Sequence, residues 1–297
     1  MRIWLPLTLW ALAVPLTGHA KVSSKAKIQV QGHRGARALR PENTLPAFDY
    51  ALKAGVDVLE LDLLMTKDDR LVVMHDPYVS PVLCTGPRGR AVPKGLAVRT
   101  LTLAKLQTYD CGAKKNPRFP KQQPVPGTRV PTFEAVLDHV LASKHPAARA
   151  VHFNIETKLE PAHPELFGKP KAIAARVVRL LKARGLLDRA VLQSFDARTL
   201  VAAKALAPAL RTSMLVSDNA PPLVPIAKAL KASFISPHHE WITAENVRQL
   251  HAAGIKVVPW TANDPAAWQR LATMQVDGII SDDPAALIEW LKQRGLR

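Results

Sequence analysis

From residue 28 onward the chain repeats one pattern, a short apolar run followed by an amphipathic helical stretch. The runs at 28–31, 56–63, 150–155, 190–193, 211–216, 233–236, 256–260 and 278–281 have strand length. Helical patterns cover 45–54, 132–142, 171–184, 197–207, 223–232, 244–253, 265–274 and 285–294. Their ends carry the expected signals. Asn43 and Thr44 precede the first helix, Thr243 caps another, and Asp264-Pro265 and Asp283-Pro284 place proline in the first turn. Gly55, Gly185 and Gly254 stand where helices stop. Strict strand-then-helix alternation implies parallel strands joined by crossover helices. Eight units in 297 residues, with no glycine-rich dinucleotide fingerprint after the first run, favour a closed (β/α)8 TIM barrel over an open sheet.

Two segments depart from the rhythm. Residues 78–131 are rich in proline, glycine and basic side chains, and too long for a bare loop inside a compact domain. They are expected to form an insertion subdomain over the barrel mouth, after the second strand, with a short helix near 103–109. Both cysteines, Cys84 and Cys111, fall inside it. Residues 1–20 carry one charge, Arg2, then an apolar run broken by Pro6 and Pro15, and close on Gly18-His19-Ala20. This is the pattern of a secretory signal peptide cleaved after Ala20, leaving a domain of 21–297. The run is too short and too rich in proline to span a bilayer comfortably, so no stable membrane insertion is expected after cleavage. The expected location is exported, periplasmic or secreted. There the two cysteines can pair, the alternative being two free buried thiols.

Loss of Arg2 takes the formal charge from +17 to +16. Such a chain is drawn to anionic partners. It shows no basic stripe interleaved with aromatics and no nucleic-acid motif, so nucleic acid is not the expected partner.

Chemistry in a barrel gathers at the C-terminal ends of its strands. Glu60 and Asp62 are two apart on a strand and so share a face. Glu156, at the end of the next barrel strand, adds a third carboxylate. Three carboxylates with water make a hard oxygen site for one divalent cation, Ca2+ or Mg2+. The alternative is a carboxylate group paired only with Arg34 and Lys158. His33 and His75 sit at strand ends where they can share this site as general base and general acid. Arg34 and Lys158 suit the oxygens of a phosphate. His139, His145, His152 and His251 read as structural.

His33-Arg34-Gly35, Pro41-Glu42-Asn43-Thr44, Glu60-Leu61-Asp62 and His75-Asp76-Pro77 together resemble the signature of the glycerophosphodiester phosphodiesterase family. Asn154 to Lys158, Gln193-Ser194-Phe195 and Trp260 continue the resemblance, which runs from about Ile28 to Glu289. The insertion resembles that of the periplasmic members, whereas His238-His239-Glu240 is less typical. The resemblance implies hydrolysis of a small-molecule glycerophosphodiester to sn-glycerol 3-phosphate and an alcohol. It implies Glu60, Asp62 and Glu156 as metal ligands and His33 and His75 as the acid–base pair. Arg34 and Lys158 would hold phosphate, Glu42 would support Arg34, and Trp260 would pack on the glycerol. Two other functions fit the same residues less well. A lipid-cleaving phosphodiesterase of this fold needs an apolar ramp, and the insertion has few large apolar residues. A non-catalytic binder of anionic envelope polymers would have no reason to keep every catalytic position.

Overall fold

A computed structural model describes residues 27–217 and 222–297. The expected signal peptide, 1–20, lies outside the described residues. The strands are β1 (Gln29–Gly32), β2 (Val58–Met65), β3 (Leu71–Val73), β4 (His152–Thr157), β5 (Ala190–Ser194), β6 (Arg211–Val216), β7 (Phe234–Pro237), β8 (Lys256–Val257) and β9 (Gly278–Ser281). The helices are α1 (Leu45–Ala54), α2 (Leu103–Leu106), α3 (Phe133–Ala142), α4 (Pro170–Ala183), α5 (Ala197–Leu206), α6 (Leu223–Ala229), α7 (Ala244–Ala252), α8 (Pro265–Thr273) and α9 (Pro284–Lys292).

Every strand but β3 pairs parallel, in the order β8-β7-β6-β5-β4-β2-β1-β9. The remaining seam is bridged by backbone hydrogen bonds: Asp277 N to Val257 O at 2.9 Å, Ile280 N to Pro259 O at 3.0 Å and Ala262 N to Ile280 O at 3.1 Å. The eight-stranded barrel expected from the alternation is therefore present. Its strand at 256–260 is shorter than expected, ending at Val257. Pro259 has no N–H to give, so the ladder is interrupted there and resumes only as a bridge between His238 and Trp260.

Helix starts follow the caps. Thr44, Thr132, Asp196, Thr243, Asp264 and Asp283 each accept a backbone N–H of their own first turn. The apolar sides of the helices pack on the outward residues of the strands. On β2, Leu59, Leu61 and Leu63 face the helices, which turns Glu60 and Asp62 into the barrel.

The insertion leaves from β3, which folds back antiparallel on β2. It has a core of its own, in which Val79, Val92, Val98, Leu106, Tyr109 and Val130 pack on Leu64 and Val72. Its short helix, α2, is capped by Thr102. Cys84 and Cys111 are joined in a disulfide. The closed loop of 27 residues contributes about 3 kcal/mol in the chain-entropy account.

Because this core is separate from that of the barrel, we expect the Cys84→Ser/Cys111→Ser variant to loosen the insertion first. Limited proteolysis should cut within 78–131 while the circular dichroism melt of the barrel moves by only a few degrees. Simultaneous loss of both signals would mean that the two cores fold as one.

Candidate active site

The site begins at a turn. Gly32 closes β1, and a Cβ there would lie 2.1 Å from Gly35 O, so only glycine fits. Gly35 itself has φ 84° and packs on Ala47. Between them Arg34 takes the left-handed conformation, φ 51°, as does Asn43 at φ 56°. Such backbone costs a non-glycine residue of order 1 kcal/mol or more. Here it aims polar groups at the carboxylates. Arg34 N donates to Glu60 Oε2 at 2.8 Å, and Asn43 Nδ2 donates to Asp62 Oδ2 at 2.8 Å.

Parallel register does the rest. Asp62 stands beside Glu156, and Glu60 beside Asn154. Glu60, Asp62 and Glu156 are all buried, and one oxygen of each lies within 4.8 Å of the others. Two cations partly offset them. Lys158 Nζ lies 3.1 Å from Asp62 Oδ1 and 2.5 Å from Glu156 Oε1. Arg34 Nε lies 3.2 Å from Asp62 Oδ2, and its Nη1 donates to Glu42 Oε1 at 2.6 Å. Glu42, expected to support the site, thus lies against Arg34.

The electrostatics follow from this packing. Burial, then Asp62 and Glu156, raise the Glu60 carboxyl well above its ordinary range. Burial also raises Glu156, with Asp62 adding to it and Lys158 opposing. Burial works against the charge of Asp62 too, but Lys158 and Arg34 outweigh it and hold that carboxyl well below its usual range. A divalent cation fits this donor set. The oxygens are hard, and Asp62 Oδ1 and Glu156 Oε1 are buried without a hydrogen bond of their own, facing only the Lys158 ammonium.

His33 and His75 both line the cavity of about 240 Å3 above the triad. His33 Nδ1 lies 2.6 Å from Asp282 Oδ1, and His33 Nε2 lies 4.0 Å from Glu60 Oε2. Asp282 also accepts from Arg37 Nε at 2.6 Å and Asn263 Nδ2 at 2.8 Å. Burial pushes Asp282 up, yet His33 and Arg37 more than offset it and keep it ionised. Burial, then Arg37, lowers His33 to about 4, against the pull of Asp282. His33 is therefore neutral at physiological pH. His75 is less buried, and its Nδ1 lies 2.6 Å from Asp76 Oδ1.

Of the expected residues, Arg34, Glu60, Glu156, Lys158 and Trp260 join the two histidines around the cavity. Asp62 lies beneath, fully buried. Glu42 lines a neighbouring cavity instead. Trp260 is held by a bond from Nε1 to Ser236 O at 2.8 Å and meets Phe195 edge-on at 5.5 Å.

Several groups were missed from sequence. Asp282, Arg37 and Asn263 orient His33. Their one signal was Asp282 following the last strand, a strand end like the others. An amide chain was also missed. Gln193 Nε2 donates to Glu60 Oε1 at 3.0 Å, while Asn154 Nδ2 donates to Gln193 Oε1 at 2.9 Å and Gln31 Oε1 at 2.8 Å. Asn154 thereby fixes which end of Gln193 faces Glu60.

Comparison with known proteins agrees with this geometry. The model of the glycerophosphoryl diester phosphodiesterase family matches residues 33–286. A glycerophosphodiester phosphodiesterase of Bacillus subtilis (strain 168) is 30% identical over 287 residues, covering 94% of this chain and 91% of the relative. One from Caldanaerobacter subterraneus subsp. tengcongensis is 29% identical over 273 residues, 91% of this chain and 100% of the relative. A crystal structure from Silicibacter pomeroyi DSS-3 gives a TM-score of 0.85 at 29% identity, covering 91% of this chain and 95% of that one. An Oleispira antarctica phosphodiesterase, solved in complex with the product sn-glycerol-3-phosphate, gives 0.73 at 25% identity, over 90% and 97%. A parallel barrel carrying buried carboxylates and paired histidines at its mouth is the frame of a phosphodiesterase. The chain belongs to the glycerophosphoryl diester phosphodiesterase family.

The charge balance can be tested through Lys158. Lys158→Met leaves Asp62 and Glu156 without their shared counter-charge. Measured by urea unfolding in chelator at pH 7, it should lose about 3 kcal/mol, the scale for breaking a buried pair. Lys158 opposes protonation of Asp62 and Glu156 in the fold, so without it the folded variant takes up protons more readily than the wild type. The deficit should therefore shrink as pH falls and these carboxyls become protonated, and grow as pH rises. A deficit independent of pH would remove the charge explanation.

Proposed function

We infer that this chain hydrolyses glycerophosphodiesters to sn-glycerol 3-phosphate and an alcohol. The observation that carries the inference is one cavity that joins a three-carboxylate site to two histidines, each with Nδ1 tied to a carboxylate. The product bound to the Oleispira relative supports the same reading.

Glu60, Asp62 and Glu156 are the residues that would hold a divalent cation, and a hard ion such as Ca2+ or Mg2+ suits them. A bound cation of this kind supplies Lewis acidity, making the glycerol hydroxyl next to the phosphate more acidic and offsetting phosphate charge. In this mechanism Arg34 and Lys158 orient the phosphate. Asp282, being ionised, can only accept, so the His33 proton sits on Nδ1 and Nε2 presents its lone pair. Neutral His33 therefore acts as the base and takes the proton of that hydroxyl. The hydroxyl oxygen bonds to phosphorus, the bond to the alcohol breaks, and His75 gives its proton to the departing oxygen. Water then opens the cyclic phosphate with the two histidines in reversed roles. Trp260 and Phe195 offer an apolar surface for the glycerol carbons.

The N-terminal pattern and the Cys84–Cys111 bridge also support a proposal of export, with cleavage after Ala20. N-terminal sequencing of the mature protein should begin at Lys21.

Chelator should abolish release of sn-glycerol 3-phosphate, and added Ca2+ or Mg2+ should restore it. His33→Ala and His75→Ala should each lower kcat by roughly 10²–10⁴-fold. An ester with p-nitrophenol hardly needs a proton on its leaving group. It should rescue His75→Ala and leave His33→Ala slow. Equal rescue of both variants would reverse or remove these roles.

A further inference from the structure

The cavity above the triad has two unlike walls. Phe195, Leu215 and Trp260 line it from the β5, β6 and β8 side. His75, Arg37 and Arg118 line it from the loops after β3, after β1 and from the insertion. Arg118 comes from the insertion and was not among the residues expected from sequence.

Arg118 differs from the other cations of the cavity. Arg34 is matched by Glu42 and Asp62, Arg37 by Asp282, and Lys158 by Asp62 and Glu156. Among the described residues no carboxylate pairs with Arg118, whose side chain is exposed. Its segment is nonetheless anchored at the rim. Gln122 Nε2 donates to Arg37 O at 2.6 Å, and Gln123 N donates to Leu39 O at 3.0 Å. Asn116 N donates to Gln122 Oε1 at 2.8 Å, and the Arg37 guanidinium lies 5.1 Å from the Phe119 ring centroid. Backbone position is thus held while the guanidinium stays without an acid.

The insertion around it is lopsided in charge. Between residues 78 and 131 there are ten lysines and arginines and one acid, Asp110. The Asp110 carboxylate is taken up by the backbone N–H groups of Gly112, Ala113 and Gly127. A phosphodiester carries a single negative charge, which Arg34, Lys158 and a divalent cation would meet deep in the cavity. Arg118, a cation without an acid partner that reaches the cavity from the rim, is placed to meet a second anion carried by the leaving alcohol.

We propose that Arg118 forms a second anion subsite at the mouth, which binds a phosphomonoester carried by the leaving alcohol. This rests on the hydrolytic reading above and adds a substrate class to it: glycerophosphodiesters of phosphorylated alcohols. The guanidinium fork matches a phosphomonoester through two parallel N–H bonds.

The test is a matched pair of substrates, glycerophosphoinositol and glycerophosphoinositol 4-phosphate, which differ only in the second anion. The wild-type protein should favour the phosphorylated diester in kcat/KM by roughly tenfold or more, the scale of one charge-assisted hydrogen bond. The difference should lie in KM and shrink with salt, because Arg118 is exposed. Arg118→Gln should abolish the preference while leaving turnover of the unphosphorylated diester within about twofold, and Arg118→Lys should retain part of it. Lys115→Gln, an equal loss of charge away from the cavity, should keep the preference. A wild-type protein that treats both diesters alike, or a preference that survives Arg118→Gln, overturns the subsite and leaves hydrolysis standing. Absence of turnover on both diesters in the presence of divalent cation would overturn the reaction and the subsite together.

Discussion

Three carboxylates share a space from which water is largely excluded, and the rest of the site is arranged around the cost of keeping them charged. Asp62 is wholly buried, and Glu60 nearly so. Left alone, such groups would take up protons. Lys158 bridges Asp62 and Glu156, Arg34 faces Asp62, Asn43 donates to Asp62 and the Arg34 N–H donates to Glu60. The left-handed turn after β1 exists to deliver two of these donors from one loop. Ion pairs of this kind are a poor source of stability, because desolvation consumes most of their attraction. The continuous apolar core between the strands and helices is what stabilises the fold enough to carry them.

The barrel interior transmits this arrangement inward. Gln31, Asn154 and Gln193 occupy inward positions on β1, β4 and β5 and form one hydrogen-bonded amide chain ending on Glu60. Apolar side chains at those positions would pack as well but could not donate to the carboxylate. At the mouth a second network does the same for His33, where Asp282 is shared with Arg37 and Asn263. Glu60 and His33 thus each have a partner that restricts rotation and comes from a strand or loop distant in sequence, whereas His75 is held by its neighbour Asp76. Preorganisation of this kind limits the motion needed to reach the transition state.

What could be read from sequence tracks the range of the physics involved. Strand alternation alone puts Glu60 and Asp62 on one face, and the first-turn prolines with their aspartate caps mark α8 and α9 almost to the residue. Glu156 was legible because it ends a strand whose neighbour is β2. Asp282 escaped notice because its role depends on barrel closure, which brings it to His33 across 249 positions. The end of β8 was misjudged because Pro259 reads as part of an apolar run while removing a ladder donor. Lys158 and Arg34 were read both as phosphate holders and as partners of the carboxylates. The structure displays the second role, and the two are compatible, since an arriving phosphate would compete for the same donors. The insertion was visible only as a break in rhythm, because its structure comes from a disulfide and a small core rather than from periodicity.

That separation of origins divides the labour of the site. Arg34, Glu60, Asp62, Glu156 and Lys158 stand on barrel strands or the turns directly after them, where the parallel ladder restricts the backbone, while His75 follows β3. The insertion is tied to the barrel through β3, through the contacts of Gln122 and Gln123 with the loop after β1, and through its own core on Leu64 and Val72. Those ties fix its place on the rim without entering the carboxylate network. A change in its exposed cations therefore leaves the charge balance around Asp62 untouched, since none of them pairs with the triad. Chemistry and selection of the alcohol can then vary independently on this frame, the first constrained by buried charge and the second only by what the rim presents to solvent.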